Sequence, residues 1–204
     1  MEKAVGELAG GMHDDLVVSV RWAVAQGIAD PQRVAIWGAS YGGYAALLGA
    51  TLTPDVFACA VDVVGVSDLA RLLEAAPPYW ALSLPWWKRY VGDPADPAQR
   101  QAMDAKSPVY MAARARAPIL VMHGVNDVRV KLEQSQRMVQ ALRENGKEVR
   151  FDTFRGDGHG NYRWNTNLKM YRETEDFLAR CLGGRSAGFD FYDDNYGKGV
   201  TTLD

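Results

Sequence analysis

Several features that would assign this 204-residue chain to a specialised class are scarce or missing. The 23 basic and 25 acidic side chains are mixed along the sequence, and no basic block indicates nucleic-acid binding. No apolar run approaches the roughly 18 residues that a membrane-spanning helix needs. Residues 1–6 lack the apolar centre of a signal peptide. We therefore expect a cytoplasmic protein with neither nucleic-acid nor membrane partners.

Cysteine and histidine are also rare, with two and three residues respectively. Cys59 and Cys181 lie far apart in the sequence, and two reduced thiols are favoured over a disulfide. The histidines show no short ligand spacing, which gives little support for a metal site; they are His13, His123 and His159. We expect no metal and no other cofactor.

Short apolar runs alternate with helical patterns along the chain, and the hydrophobic fraction of 48% is sufficient for a packed core. Strands are predicted at 33–37, 57–64, 118–123 and 148–154. Helices are predicted at about 16–26, 44–50, 132–144 and 165–181, the first capped by Asp14 or Asp15. This alternation predicts an α/β fold with a mostly parallel sheet and crossover helices.

The most informative segment is Trp-Gly-Ala-Ser-Tyr-Gly-Gly at 37–43, which contains the G-x-S-x-G pattern around Ser40. A predicted strand precedes it and a predicted helix follows it, so we expect Ser40 on a sharp turn with an exposed hydroxyl. Gly38 and Gly42 are expected to be required because side chains there would collide across the turn. The backbone N–H of Tyr41 is expected to bind a developing oxyanion.

Other interpretations of this glycine-rich turn fit less well, although the pattern also occurs by chance. A phosphate-binding loop requires Lys followed by Ser or Thr, whereas Tyr44 follows Gly43. The dinucleotide-binding fingerprint fails because Ser40 occupies the position of its second glycine. Asp127 and His159 follow downstream, which gives the Ser, Asp, His order of α/β hydrolases.

Asp127 and His159 each follow a predicted strand, and open α/β sheets bind ligands beyond the carboxyl ends of their strands. Asp127 can orient a histidine ring, although a loop aspartate can also cap the next helix. Asp157 is a competing acid, but its side chain would have to fold back to reach His159. We expect His123 to be a satisfied core imidazole and His13 to be solvated.

These segments together resemble the catalytic domain of the prolyl oligopeptidase family of serine peptidases. The resemblance runs from about residue 6 to 185 and rests on 38–44, 123–130 and 158–160, with supporting matches at 107–108, 134–135, 177–178 and 182–184. It implies that Ser40 is the nucleophile, His159 the base and Asp127 the orienting acid in peptide-bond hydrolysis through an acyl-enzyme. A carboxylesterase-like hydrolase and a catalytically idle fragment are the alternatives.

The segment 77–93 carries three of the six tryptophans. The resemblance implies that this segment walls the pocket for the residue before the scissile bond, with Trp86 and Tyr90 as substrate-binding residues. Packing of the segment on the core, or on an absent domain, is the alternative.

The resemblance also implies that parts of the family's fold are absent. Four strands are predicted, whereas the family's catalytic domain has eight and is accompanied by a β-propeller. We expect residues 1–185 to form the C-terminal part of an α/β-hydrolase fold without its N-terminal strands, and 186–204 to be a disordered tail. The expected partners are a peptide substrate and either the missing strands and propeller of a longer parent or a second copy. A second oxyanion donor, and any targeting signal, would also lie upstream.

Overall fold

The computed structural model of the chain describes residues 5–160, 163–186 and 200–203. Its strands are β1 (Ala35–Ala39), β2 (Cys59–Val63), β3 (Ile119–Gly124), β4 (Val149–Phe154) and β5 (Val200–Leu203). Its helices are α1 (Gly11–Ala25), α2 (Tyr41–Thr51), α3 (Leu69–Glu74), α4 (Leu84–Val91), α5 (Pro97–Asp104), α6 (Glu133–Glu144) and α7 (Trp164–Leu182). Two 3₁₀ helices are formed by Pro78–Trp80 and Pro108–Arg114.

The strands form one sheet in the order β1-β2-β3-β4-β5. Strands β1 to β4 are parallel, and helical segments connect each of them to the next. Parallel strands need such crossovers because the chain must return to the same end of the sheet before each new strand begins. The predicted α/β fold class, with a mostly parallel sheet and crossover helices, is confirmed.

Apolar side chains cover both faces of the central strands. In β3, Ile119 and Val121 pack with residues of α2 and α6, whereas Leu120 and Met122 pack with residues of α7. Successive side chains of a strand point to opposite faces, so a continuous apolar run supplies both layers at once. This packing fixes the carboxyl ends of β1, β3 and β4, from which the loops of the candidate site emerge.

Cys59 of β2 and Cys181 of α7 form a disulfide, so the prediction of two reduced thiols is wrong. Helix α7 packs against the face of the sheet that contains Cys59, and the two Cα atoms are 6.2 Å apart. That separation lies within the range that a disulfide bridges. The contact joins residues 122 positions apart, which is why the sequence alone gave no indication of it.

Two predictions near the N-terminus are also wrong. Helix α1 begins at Gly11, with Asp14 inside its first turn, so neither Asp14 nor Asp15 is its cap. His13 is buried rather than solvated, and its Nε2 atom lies 3.0 Å from the Oγ1 atom of Thr53. Burial lowers the pKa of His13, with a smaller opposing effect from the charge of Asp14.

Strand β5 comes from the segment for which a disordered tail was predicted. It pairs antiparallel with β4, placing Val200 opposite Phe154 and Leu203 opposite Phe151. The prediction therefore differs from the structure at 200–203, whereas 187–199 and 204 lie outside the described residues. Between β2 and β3, the short helices α3, α4 and α5 were not predicted, because six to eight residues carry too little periodicity to be recognised.

Candidate active site

Ser40 lies at the sharp turn between β1 and α2. Its backbone φ angle is 58°, a conformation that residues other than glycine rarely adopt. The Ser40 N–H donates to the carbonyl oxygen of Val63 at 2.9 Å, and its own carbonyl accepts from the Tyr44 N–H at 3.0 Å. Hydrogen bonds to the end of β2 and to the first turn of α2 therefore hold the strained residue in place.

The two glycines that flank Ser40 differ in how much space surrounds them. A Cβ atom on Gly38 would lie 2.3 Å from the carbonyl oxygen of Gly42, so the turn closes only with glycine at position 38. A Cβ atom on Gly42 would meet no described atom within 4 Å. The expectation that both glycines are required is thus correct for Gly38 and wrong for Gly42.

The side chains of Ser40, His159 and Asp127 form one hydrogen-bonded row. The Nε2 atom of His159 lies 2.8 Å from the Oγ atom of Ser40, and its Nδ1 atom lies 2.7 Å from the Oδ2 atom of Asp127. An ionised carboxylate only accepts, so the proton is assigned to Nδ1. Nε2 is then free to accept the Ser40 hydroxyl proton.

Asp127 is buried in the loop after β3, and each of its carboxylate oxygens has partners. Oδ1 accepts the backbone N–H groups of Arg129 at 2.8 Å and Val130 at 3.0 Å, while Oδ2 faces His159. Burial by itself would raise the pKa of Asp127. The nearby N–H of His123, together with hydrogen bonds from His159 and the Arg129 N–H, outweighs it, so the pKa lies well below its ordinary value. Asp127 is therefore charged at neutral pH.

Asp157, the competing acid, bonds to Arg163 and Thr166, whereas the Nδ1 atom of His159 bonds to Asp127. The buried carboxylate of Asp157 accepts from Nη2 of Arg163 at 2.8 Å and from the hydroxyl of Thr166 at 2.7 Å. Burial would raise the pKa of Asp157, but the hydrogen bonds from Arg163 and Thr166 outweigh it and lower the pKa. Asp157 thus connects the loop that contains His159 to the beginning of α7.

Tyr41 is the first residue of α2, where backbone N–H groups have no acceptor within the helix. This N–H and the helix dipole both favour negative charge beside Ser40. The Tyr41 side chain is half-exposed, and its hydroxyl lies 3.8 Å from the Sδ atom of Met12. Burial raises the pKa of the Tyr41 hydroxyl.

Ser40 and His159 line a cavity of about 440 Å³. Trp86 and Tyr90 also line it, together with Trp80 and Trp87 of the same segment. The rings of Trp86 and Tyr90 are 4.4 Å apart between centroids, and Trp80 stacks on Trp87 at 5.2 Å. The remaining lining is almost entirely apolar, so the cavity suits a hydrophobic group next to the serine hydroxyl.

Sequence reasoning missed several residues of this cavity. Leu8 and Met12, from the beginning of the chain, line it, and so does Arg129. No motif marked Leu8 or Met12, and only the fold brings them near Ser40. Arg129 lies two residues after Asp127, so its position in the same loop could have identified it.

The described residues contain no cluster of three or more histidine, cysteine or acidic side chains that could hold a metal ion. In the same part of the chain, every helix is too short or too polar to span a lipid bilayer.

A mostly parallel sheet with a hydrogen-bonded Ser-His-Asp row at the carboxyl ends of its strands defines an α/β hydrolase. The prolyl oligopeptidase family matches residues 2–185 of the chain. The chain therefore belongs to the prolyl oligopeptidase family of serine peptidases, as the sequence motifs had indicated.

Two curated relatives and one solved structure illustrate this membership. Dipeptidyl aminopeptidase BIII of Pseudoxanthomonas mexicana is 45% identical over 91% of the chain, and dipeptidyl peptidase family member 6 of Caenorhabditis elegans is 39% identical over 90%. A puromycin-hydrolyzing peptidase of Mycobacterium tuberculosis has 30% identity and a TM-score of 0.84 over 93% of the chain. The chain spans only 27%, 25% and 28% of these three proteins respectively.

Proposed function

We propose that this chain carries the catalytic residues of a peptidase that cleaves peptide bonds through an acyl-enzyme. Ser40 is the nucleophile, His159 the general base and Asp127 the acid that orients the imidazole. The observation that carries the proposal is the hydrogen-bonded row from Asp127 through His159 to Ser40, which ends at an apolar cavity. Each member has the partner that its role requires.

In the proposed reaction, the Oγ atom of Ser40 attacks the substrate carbonyl while its proton moves to Nε2 of His159. The carboxylate of Asp127 stabilises the imidazolium, and the Tyr41 N–H donates to the oxyanion. His159 then gives its proton to the leaving amine, which leaves an acyl group on Ser40. Water attacks this ester by the same sequence, and His159 again takes and returns the proton.

We also propose that the cavity binds the residue before the scissile bond, with Trp86 and Tyr90 in contact with its side chain. An apolar cavity excludes charged side chains because their desolvation would be unfavourable. The rings offer area to an apolar or proline side chain. The substrate class is therefore a peptide with an uncharged residue at that position.

We further propose that the chain is the C-terminal part of a longer peptidase. Two observations support this proposal: the chain spans about a quarter of its relatives, and β1 forms an edge of the sheet that the described residues build, with Trp37 46% exposed. An unpaired apolar edge invites pairing with another strand. Either preceding residues of a longer polypeptide or a second copy would supply that strand. An in-frame upstream reading frame would favour the first, and a stable active dimer the second.

A fluorophosphonate probe tests the catalytic proposal because it reacts with activated serine hydroxyls. We expect Ser40 to be labelled and expect Ser40→Ala and His159→Ala to abolish labelling. An unlabelled Ser40 in a well-folded sample would mean that the residues are present but idle. Peptide amides and short esters with the same acyl group then separate peptidase from esterase, since a simple esterase would hydrolyse only the esters.

A further inference from the structure

His123 was expected to be an ordinary core imidazole, yet it lies next to the proposed catalytic acid. It belongs to the end of β3 and is completely buried. Its Nδ1 atom is 2.7 Å from the Oγ atom of Ser135, and its Nε2 atom is 2.8 Å from the carbonyl oxygen of Val130. Both nitrogens therefore have a partner.

These partners determine where the protons of the imidazole lie. The Val130 carbonyl oxygen only accepts, so Nε2 must carry a proton and donate it. In the neutral ring, Nδ1 is then an acceptor, and the Ser135 hydroxyl donates to it. The Val130 carbonyl thus selects a single tautomer of His123, and Ser135, in the first turn of α6, holds the ring by donating to its other nitrogen.

The proton-bearing nitrogen of His123 also faces Asp127. Its Nε2 atom is 3.5 Å from Oδ2, the oxygen that accepts from His159 at 2.7 Å. Val130, whose carbonyl His123 binds, donates its own N–H to the other oxygen of Asp127 at 3.0 Å. His123 therefore acts on the carboxylate through an N–H dipole on one oxygen and through Val130 on the other.

We propose that His123, oriented by Ser135, is a positioning residue that holds Asp127 with one carboxylate oxygen aimed at His159. The inference rests on the proposed function, in which Asp127 orients the base. It assigns His123 no contact with substrate and no proton transfer. It predicts that the Asp127–His159 hydrogen bond weakens when His123 loses its N–H or Ser135 its hydroxyl.

Three variants separate this role from simple core packing. Ser135→Ala removes one hydroxyl and leaves the imidazole in place, whereas His123→Leu removes the ring. His123→Gln keeps an N–H donor at the end of the side chain. Thr51→Val is the matched control, because Thr51 is equally buried and donates to a backbone carbonyl, that of Leu47 at 2.8 Å.

Two measurements on the full chain read out the effect. The first is the low-field proton resonance of His159 Nδ1–H, assigned by its absence in His159→Ala, which requires no turnover. The second is the rate of fluorophosphonate labelling of Ser40 as a function of pH, corrected for the folded fraction from urea unfolding. A purely structural role would change the folded fraction and leave both readouts as they are.

We expect His123→Leu to remove or shift the low-field resonance and to slow labelling by about 10- to 100-fold, the range seen for residues that orient the ligands of catalytic metals. Ser135→Ala should slow it by about 2- to 10-fold, the effect of one hydrogen bond. His123→Gln should recover most of the rate lost in His123→Leu, and Thr51→Val should match the unmodified chain.

A folded His123→Leu protein with the original resonance and labelling rate would overturn the inference, as would equal effects of Ser135→Ala and Thr51→Val. Failure of the proposed function looks different. In that case Ser40 is not labelled in any variant, while the low-field resonance is still present in the unmodified chain. Loss of that resonance in His123→Leu would then support the positioning role on its own.

Discussion

The imidazole of His159 lies 2.8 Å from the hydroxyl of Ser40, although 119 residues separate them in the chain. No local propensity brings them together. Ser40 follows β1 and His159 follows β4, and the parallel sheet places the carboxyl ends of both strands at one edge. The loops after β1 and β4 therefore emerge at the same edge of the sheet, where Ser40 and His159 can meet.

Replacing Asp127 or Asp157 by its amide should have different effects, the first on the reactivity of Ser40 and the second on stability. We expect Asp127→Asn to slow labelling of Ser40 by about 10⁴-fold, because an amide at this place favours the wrong imidazole tautomer. Asp157→Asn should lower the free energy of unfolding by about 1.5–3 kcal/mol through loss of its charged hydrogen bonds to Arg163 and Thr166. Labelling rates and urea unfolding of both variants check this. A larger loss of labelling in Asp157→Asn would reverse the assignment of the acid.

The two glycines of the turn provide a matched pair of alanine substitutions. Gly38→Ala should lower the free energy of unfolding by about 3 kcal/mol or more, since its methyl group would overlap the backbone of Gly42. Gly42→Ala should be neutral or stabilising by up to about 1 kcal/mol, because it adds a methyl group in open space on a helix. Urea unfolding measures both, and similar values for the two would contradict the geometry of the turn.

The pH dependence of stability should reveal Asp62, which is completely buried in β2. Burial raises its pKa to about 7, against a smaller opposing effect of the Gly65 N–H. Between its ordinary value of 3.8 and about 7, the folded state keeps the proton and the unfolded state loses it. The free energy of unfolding therefore falls as pH rises through this window.

Asp62→Asn should remove this decline. Relative to the same comparison at pH 4, we expect the variant to gain about 4 kcal/mol over the unmodified chain by pH 8, at 1.36 kcal/mol per unit of pKa shift. Urea unfolding of both proteins across pH 4–8 measures the difference, and carboxylates common to both cancel. A constant difference across that range would show that Asp62 does not titrate there.

The disulfide between Cys59 and Cys181 should contribute strongly to stability. It closes a loop of 122 residues, and the chain-entropy relation gives about 4–5 kcal/mol for a loop of this length. Reduction should lower the free energy of unfolding by up to this amount. The double variant Cys59→Ala and Cys181→Ala is the control, because reductant should leave its unfolding curve unchanged. If reductant also left the unfolding curve of the unmodified chain unchanged, the disulfide would not be stabilising.

Replacement of Trp86 should weaken the binding of substrates with an apolar residue before the scissile bond. We expect Trp86→Ala to raise KM about tenfold for substrates with an apolar residue before the scissile bond, with kcat retained, which corresponds to a binding loss of 1.4 kcal/mol. Trp22→Ala is the control, since Trp22 is similarly exposed but lies outside the cavity. An equal KM for the two variants would remove Trp86 from the substrate site.

The alternation of strands and helices, the turn at Ser40 and the residues meeting at His159 could be inferred from sequence, because each depends on a local pattern and on the topology of parallel sheets. The disulfide, β5 and the contact of His123 with Asp127 could not, since all three join segments that only tertiary packing brings together. Leu8 and Met12 were missed for the same reason. The cytoplasmic location stays a prediction.

Four aromatic residues of the cavity belong to one continuous stretch, from Trp80 to Tyr90, whereas the serine, the imidazole and the carboxylate come from three other loops. In the proposed function, substrate selection and reactivity would therefore depend largely on separate stretches of the sequence. Exchange of the stretch from Trp80 to Tyr90 alone would then change the proposed substrate preference and leave the Ser-His-Asp row in place.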